Sequence, residues 1–240
     1  IERKPENLKE IRGVAFHDET KVPDIVHTGW RELMDLSKVP FAYSNLTEFK
    51  NRIIYYESSR GCPFSCSYCL SSIDKKLRFR DIELVKKELQ FFIDNKVPQV
   101  KFVDRTFNCK HDHAMAIWRY ITEHDNGITN FHFEISADLL REEELALMKT
   151  MRPGLIQLEI GVQSTNPQTI KAIRRTMDFE KLKGIVEQIH SFGNIHQHLD
   201  LIAGLPYEGY DSFHKSFCDV YALRPEQFQL GFLKVLKGSH

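Results

Sequence analysis

Residues 53–69 read IIYYESSRGCPFSCSYC, a β-branched and aromatic run that is followed directly by three closely spaced cysteines. The run at residues 53–57 is typical of a β-strand. Cys62, Cys66 and Cys69 lie within eight residues, whereas the other two of the five cysteines are isolated in the sequence. A disulfide framework would spread its cysteines along the chain and pair them. The clustering therefore favours a metal or cluster site.

Beyond the cysteines, strand-like and helix-like segments alternate regularly. Apolar residues recur every three or four positions over residues 81–95, and the same spacing marks helices at residues 114–121, 145–151, 179–189 and 213–220. Asp138 is a possible N-cap of the third helix, and Gly193 stands where the fourth should end. Strands are predicted at residues 53–57, 100–103, 131–135, 155–160, 196–203 and 228–235.

Six strands that alternate with five helices indicate βα repeats around a parallel sheet. An open doubly wound sheet satisfies this pattern, and so does a partial barrel with six of the eight units of a complete one. Three successive strands, however, carry polar residues at alternate positions, whereas a buried parallel strand should be almost continuously apolar. These polar faces are His132, Glu134 and Ser136; Gln157, Glu159, Gly161 and Gln163; and His196, His198 and Asp200.

The polar faces predict a wet, concave lumen; the alternative is that they are strand ends near solvent. A lumen that can hold a sizeable ligand suits a partial barrel better than the packed interior of a closed one. We therefore expect an α/β fold with a partial, TIM-like (β/α)6 barrel.

The composition of the 240 residues is that of a globular protein, with 42% hydrophobic residues, 28% charged residues and a net charge of zero. The balanced charge gives no basic footprint for nucleic acid, and no apolar run approaches the roughly 20 residues that cross a bilayer. The charged N-terminus is unlike a secretory signal, so a cytoplasmic location is expected. Residues 1–48 are weakly periodic and interrupted by prolines, which predicts an extension ahead of a barrel domain at residues 49–240.

The cysteine loop follows the first predicted strand of the barrel, where active sites of βα barrels gather. Three thiolates in one loop can hold three irons of a cubane [4Fe–4S] cluster and leave the fourth iron open to a non-protein ligand. The alternative is a structural zinc site, which would need a fourth ligand, such as one of the 11 histidines.

The spacing Cys62-x3-Cys66-x2-Cys69, with Tyr68 just before the last cysteine, resembles the signature of the radical S-adenosylmethionine (radical SAM) superfamily. The resemblance implies that the three cysteines bind a [4Fe–4S] cluster whose open iron chelates SAM, with Tyr68 on the cofactor side of the loop. The reduced cluster would cleave SAM to methionine and a 5′-deoxyadenosyl radical that activates a small-molecule or peptide substrate. An electron donor such as flavodoxin or ferredoxin and sensitivity to oxygen are then expected.

The resemblance extends over residues 50–236. The run Ile160–Ser164 is similar to a fourth-strand motif of the superfamily, in which the glutamine, here Gln163, contacts the SAM ribose. An arginine in the following helix then pairs with the methionine carboxylate, a bidentate contact that suits a guanidinium. Arg175, 12 positions after Gln163, fills that role, although Arg174 beside it leaves the register open.

Three further positions match the superfamily on neighbouring strands. Asp200 corresponds to a fifth-strand aspartate that accepts hydrogen bonds from the ribose hydroxyls, and Ile202 would lie beside the adenine. Glu134 corresponds to a third-strand glutamate near the methionine or ribose of SAM, although a proline expected soon afterwards is replaced by Ala137.

The second-strand region departs from the superfamily pattern, in which a glycine-glycine-glutamate motif holds the SAM amino group. Asp104 is expected to accept from that ammonium group with help from Thr106, and its alternative role is a loop cap. Arg105 is a candidate for a substrate anion or for a pair with Glu134. The isolated Cys109 and Cys218 are expected to be small buried hydrophobes rather than ligands of an auxiliary cluster.

Residues 56–64, 104–108 and 231–238 resemble, more narrowly, one bacterial group of radical SAM proteins that carry a cobalamin-binding domain ahead of the barrel. Residues 1–48 would then lead out of such a domain, and cobalamin-assisted methyl transfer or cyclisation becomes plausible. Hydrogen abstraction without cobalamin is the alternative reaction. Alternatives of other kinds are a non-catalytic iron–sulfur or zinc module and an RNA-modifying, methylthiotransferase-like enzyme.

Overall fold

The computed structural model describes residues 5–50, 52–72, 75–237 and 239. Residues 1–4 of the predicted extension and residue 238 of the closing motif lie outside them. The helices are α1 (Pro5–Leu8), α2 (Ile82–Asp94), α3 (His111–Glu123), α4 (Glu142–Lys149), α5 (Pro167–Ala172), α6 (Phe179–Phe192) and α7 (Tyr210–Tyr221). The strands are β1 (Ala15–His17), β2 (Ile25–His27), β3 (Ile54–Tyr56), β4 (Ser59–Arg60), β5 (Arg78–Phe79), β6 (Gln99–Phe102), β7 (Asn130–Ile135), β8 (Ile156–Gln163), β9 (His196–Ala203) and β10 (Gln227–Phe232).

The centre of the molecule is a six-stranded sheet with the order β10-β9-β8-β7-β6-β3. Every neighbouring pair of its strands is parallel. Successive strands are joined through helices, which confirms the predicted βα repeats and the partial (β/α)6 barrel. Because β3 and β10 form the two edges of the sheet, the barrel is open on one side.

All six predicted strands are present, and Gly193 ends α6 in the left-handed conformation, with φ of 67°. The prediction for α4 was wrong at its start: Arg141, not Asp138, is the N-cap residue. Residues 137–139 form a separate 3₁₀ turn, and the Asp138 carboxylate accepts from Ser136 instead. Helix α5, which Asn166 caps through its side chain and which begins with Pro167, was not predicted from the sequence.

An aromatic cluster between the sheet and α3 fixes the loop that follows β6. The ring centroids of Phe107 and Phe133 lie 4.3 Å apart, and those of Phe107 and Trp118 lie 5.3 Å apart. All three side chains are fully buried. Since burying an aromatic side chain stabilises the fold by roughly 1.5–3 kcal/mol, Phe107 holds this loop against the core.

Part of the predicted N-terminal extension packs against the barrel. Leu36 is buried, and its carbonyl accepts a hydrogen bond from the Arg80 guanidinium. Arg80 is itself buried and forms an ion pair with Glu88 at 2.5 Å. The Tyr43 hydroxyl donates to the Tyr55 carbonyl at 2.5 Å. The segment 36–49 is therefore docked on the outside of the first barrel unit.

No helix within the described ranges has both the length and the apolar character that spanning a membrane requires.

Candidate functional site

The cysteine loop stands at the edge of the sheet where the parallel strands end. Its base is closed by the antiparallel pair β4 and β5, in which Ser59 lies opposite Phe79 and Arg60 opposite Arg78. The Arg80 amide adds a hydrogen bond of 2.8 Å to the Ser58 carbonyl. The loop thus projects over the open end of the barrel from a hydrogen-bonded stem.

All three cysteines of the loop line one cavity of about 200 Å³. Cys62 and Cys66 are buried, and Cys69 is half-buried. The Cys69 amide donates to the Cys66 carbonyl at 3.2 Å, and the Ser67 amide donates to the Ile173 carbonyl at 2.9 Å. These backbone contacts fold the loop back on itself and tie it to the segment after α5.

The spacing of the sulfurs distinguishes a cluster from a single metal ion. Across the described ranges, the group that brings three ligand atoms of His, Cys, Asp or Glu within 4.8 Å of one another is Glu159, His198 and Asp200. The three cysteine sulfurs are not gathered that closely. A single zinc ion with Zn–S bonds of about 2.3 Å would hold its sulfurs about 3.8 Å apart, whereas in a cubane cluster each thiolate binds a different iron. The donor set therefore fits a cluster better than zinc.

Gln163 occupies a strained position at the end of β8. The pairing with β9 shifts register between Gly161 and Gln163, and Gln163 has a positive φ of 73°. Such a backbone costs a non-glycine residue about 1–3 kcal/mol and is found mostly at functional sites. A Cβ at Gly161 would meet Gln163 Nε2, so a side chain at position 161 would require the Gln163 amide to move from this place.

Arg175 reaches from the segment after α5 to the cysteine loop. One guanidinium nitrogen, Nη2, donates to the Gly161 carbonyl. The other, Nη1, lies 3.4 Å from the Tyr68 hydroxyl and 4.0 Å from Cys66 Sγ. Arg174 is exposed and has a positive φ of 53°. The structure therefore brings Arg175, and not Arg174, to the cavity.

Buried polar atoms without a partner mark the wall around Arg175. Gln163 Oε1 and Arg175 Nε are buried and have no hydrogen-bond partner among the described residues. Both side chains line the same cavity as the cysteines. An unpaired buried polar group costs about 1–3 kcal/mol, so this wall suits a ligand rich in hydrogen-bonding groups.

The lower part of the lumen contains three ion-pair contacts. Glu159 lies 2.8 Å from Lys101 Nζ and 3.0 Å from His132 Nε2; the contact with His132 and then that with Lys101 lower the pKa of Glu159 to about 2, against the effect of burial. His198 Nε2 lies 2.9 Å from Asp200 Oδ1, a contact that raises the pKa of His198. Lys101 thus supplies to Glu159, His198 and Asp200 the positive charge that a metal ion would otherwise bring.

Glu134 faces the same cavity without a cationic partner among the described side chains. Burial, followed by the nearby charges of Glu159 and Asp200, raises the pKa of Glu134 to about 7. The predicted polar lumen is thus confirmed for the residues that line the cavity, which are Glu134, Ser136, Glu159, Gly161, Gln163 and Asp200.

Asp104 is not among the residues that line the cavity, so the structure does not bring it to the place where the ammonium group of SAM is expected. Its side chain is fully buried, and its oxygens accept hydrogen bonds from Ser58 and Ser59. The alternative role, a loop cap, describes this geometry. Ile202 packs into a small apolar cluster that includes Tyr68, and it is not among the residues lining the cavity.

Arg105 and the two isolated cysteines differ in their surroundings. Arg105 is exposed and lines the cavity. Cys109 is half-buried, and burial followed by the nearby Cys62 raises its pKa to about 11. Cys218 is exposed, so the expectation that it is a buried hydrophobe was wrong: it lies on the outer face of α7.

The residues that anchor the loop were not predicted from the sequence. Ser58, Ser59 and His113 are buried, and His113 Nε2 lies 3.1 Å from Ser58 Oγ. Two consecutive serines directly after a strand were the available signal, because buried hydroxyls need partners.

A family model described as "Radical SAM superfamily" matches residues 56–218. The 2-(S-pantetheinyl)-carbapenam-3-carboxylate methyltransferase of Streptantibioticus cattleyicolor is 29% identical over 168 residues, which cover 66% of this chain and 24% of the relative. The cobalamin-dependent radical SAM methyltransferase TokK of Streptomyces tokunonensis is 27% identical over 169 residues, with the same two coverages, 66% and 24%.

A solved structure shares the fold. The radical S-adenosylmethionine methyltransferase TsrM from Kitasatospora setae, with cobalamin and a [4Fe–4S] cluster bound, superposes with a TM-score of 0.66 at 17% identity. The match covers 75% of this chain and 36% of that one. This chain spans about a quarter of the length of the two curated relatives described above.

Replacing Glu134 by Gln should stabilise the cluster-free protein at alkaline pH. The folded pKa of Glu134, about 7, lies above its ordinary value of 4.5. The contribution of Glu134 to the stability of the fold is therefore fully present below pH 4.5, where the carboxyl group is protonated. It is lost as the pH rises through 7 and the buried group becomes charged. We expect Glu134→Gln to exceed the wild type in unfolding free energy by about 1–2 kcal/mol at pH 8, with partial exposure screening the penalty, and by less at pH 5.

Urea unfolding at the two pH values measures this difference. Glu187→Gln, on the exposed face of α6, is the control and should show no pH-dependent gain. Equal stability of Glu134→Gln and wild type at both pH values would contradict the assignment.

Proposed function

The chain belongs to the radical SAM superfamily, and we propose that its cavity binds a [4Fe–4S] cluster through Cys62, Cys66 and Cys69 and SAM through the facing wall. One observation carries this proposal. The three thiolates line the same cavity as the unpartnered polar atoms of Gln163 and Arg175. A metal module that only carried electrons would have no use for those atoms.

Arg175 is proposed to bind the carboxylate of the methionine part of SAM. Its guanidinium is already fixed by the Gly161 carbonyl, so little side-chain entropy is lost when a carboxylate binds. Its Nη1 lies beside Cys66 Sγ, and its Nε is buried without a partner. An anion at this place would satisfy the free donor next to the cluster ligands.

Gln163 and Asp200 are proposed to bind the ribose hydroxyls. Gln163 Oε1 is a free acceptor, the Asp200 carboxylate lines the same cavity, and hydroxyl groups are donors that match both. Glu134, which faces the same space, is proposed to lie near the methionine or ribose. Tyr68 and Ile202 share an apolar cluster at the rim, and Ile202 is proposed to approach the adenine when SAM is bound.

The chemistry follows from an electron delivered into this cavity. When bound and reduced, the cluster supplies the electron that cleaves SAM to methionine and a 5′-deoxyadenosyl radical. The chain's own residues hold the thiolates and orient the methionine and ribose. We propose that reduced flavodoxin or ferredoxin donates the electron and that the protein acts in the cytoplasm, on a small-molecule or peptide substrate.

Methyl transfer with cobalamin is the reaction that we propose for the longer protein. The support is that one relative is named a methyltransferase and another a cobalamin-dependent radical SAM methyltransferase. A cobalamin-binding domain would then precede residues 1–48. Hydrogen abstraction without cobalamin, as in methylthiolation, is the second candidate, because the lumen residues of the barrel are compatible with it.

Anaerobic reconstitution with iron and sulfide tests the cluster. We expect about four irons per chain, as a [4Fe–4S] cluster contains, and 5′-deoxyadenosine after reduction with dithionite in the presence of SAM, measured by chromatography. Cys66→Ala should lose both, because one of only three protein ligands is removed. Zinc in place of iron, with no binding of SAM, would contradict the proposal.

Arg175→Gln should weaken SAM binding to the reconstituted protein by about 10- to 100-fold, because a hydrogen bond to a charged group contributes roughly 1.5–3 kcal/mol. Equilibrium binding of SAM measures the change. The control is Arg174→Gln, which removes the neighbouring exposed charge and should bind SAM as the wild type does. If the two variants behaved alike, the assignment of Arg175 would be wrong.

The fate of the SAM methyl group tests the reaction. In the longer protein supplied with cobalamin, SAM with a deuterated S-methyl group should give methylcobalamin that carries the label, measured by mass spectrometry. The cobalamin-independent alternative predicts 5′-deoxyadenosine without labelled cobalamin.

A further inference from the structure

One buried carboxylate joins the cysteine loop to the neighbouring strand. Asp104 accepts hydrogen bonds from the Ser58 amide at 2.9 Å, from the Ser58 hydroxyl at 2.8 Å and from the Ser59 hydroxyl. All three contacts are donated to the two oxygens of Asp104. Since an ionised carboxylate only accepts, this arrangement suits the charged form.

The residues that donate to Asp104 lead into the cysteine loop. Ser58 and Ser59 come three and four positions before Cys62, and Ser59 begins the stem of the loop in β4. Asp104 follows β6, and the buried Phe107 holds that segment against the core. The entrance of the loop is thus fixed to a rigid part of the barrel.

The same segment also touches a cluster ligand. Thr106 Oγ1 lies 3.7 Å from Cys62 Sγ. The Cys109 amide donates to the Thr106 carbonyl at 3.0 Å, and burial, followed by the nearby Cys62 and Asp104, raises the pKa of Cys109. The carboxylate and the first thiolate therefore belong to one neighbourhood behind the cavity.

The charge of Asp104 has no cationic partner in the described part of the chain. A titratable side chain in the same network is His113, whose Nε2 contacts Ser58 Oγ at 3.1 Å. Burial, followed by Lys110, lowers the pKa of His113 to about 4, so this imidazole is neutral at neutral pH. The Arg60 guanidinium is paired with Glu57, so its positive charge is already compensated by that carboxylate.

We propose that Asp104 is a positioning residue for the cluster, which fixes the entrance of the cysteine loop and places an uncompensated negative charge near Cys62. This inference rests on the proposed function. A nearby negative charge disfavours the reduced, more negative cluster, and the low dielectric of the interior strengthens that effect. Hydrogen bonds and net charge around a cluster are the levers by which proteins set its potential. Asp104 therefore keeps the cluster strongly reducing.

Asp104→Asn tests both parts of the proposal in the cluster-loaded protein. Asparagine has the same shape, and the serine hydroxyls can rotate to accept from its amide, so the fold should be retained. We expect the midpoint potential, followed by electron paramagnetic resonance during a redox titration, to shift to a more positive value. Iron release to a chelator under anaerobic conditions should be several-fold faster than in the wild type.

Asp125→Asn is the matched control. Asp125 also anchors a loop, because Arg152 Nε donates to it at 2.7 Å, but that loop leads into the start of β7 at the opposite edge of the sheet. This variant should keep the wild-type midpoint potential of the cluster and the wild-type rate of iron release.

Ser59→Ala separates position from charge, because it removes one donor and leaves the carboxylate. Its iron release should be faster than that of the wild type, with a midpoint close to the wild-type value. A loaded Asp104→Asn protein with the wild-type midpoint and iron release would overturn the inference alone. A wild type that takes up no cluster would overturn the proposed function, and the inference with it.

Discussion

The six strands of the sheet all run in one direction, and the site depends on this constraint. Because parallel strands end at the same edge, the loops that follow β3, β6, β8 and β9 meet there whatever their separation in sequence. Cys66 and Arg175 are 109 positions apart, yet Cys66 Sγ and Arg175 Nη1 lie 4.0 Å from each other. Each strand needs to contribute only one or two polar residues for a complete pocket to form.

The polar interior follows from the same architecture. A closed barrel fills its centre with branched apolar side chains, but this sheet is open between β3 and β10 and leaves a lumen. Polar groups there are tolerated because they are paired: Glu159 with Lys101 and His132, and His198 with Asp200. At Gln163, the absence of a side chain on Gly161 leaves space for the Gln163 amide. Interior polarity and an open edge are thus two aspects of one fold.

Local features were predictable from the sequence, and long-range ones were not. The cysteine spacing, the helical periodicity of α2 and the alternation along β8 each depend on residues close in sequence, and the structure has all three. Alternation also placed Glu134 and Asp200 on one lumen before their strands were known to be neighbours of β8.

The failures of prediction have physical causes. Ser58, which donates to Asp104, lies 46 positions away. The sequence therefore could not show that the Asp104 carboxylate is already occupied by hydrogen bonds within the protein. Arg175 was the residue predicted, and it lines the cavity. The register against Arg174 stayed open because it depended on where α5 ends, and helix ends are set by capping and tertiary contacts. The docking of residues 36–49 depends on the ion pair of Arg80 and Glu88. Both side chains are buried in the fold, and the sequence does not show that burial.

That docked segment has a mechanical consequence. Arg80, paired with Glu88, donates a hydrogen bond to the Leu36 carbonyl. Removing one partner of a buried ion pair costs about 3–5 kcal/mol. Anything joined upstream of residue 36 is consequently tethered at a fixed point beside β3, the strand that leads into the cysteine loop. A domain joined ahead of it could therefore approach the open end of the barrel only from this fixed point, over a distance set by the length of the connecting chain.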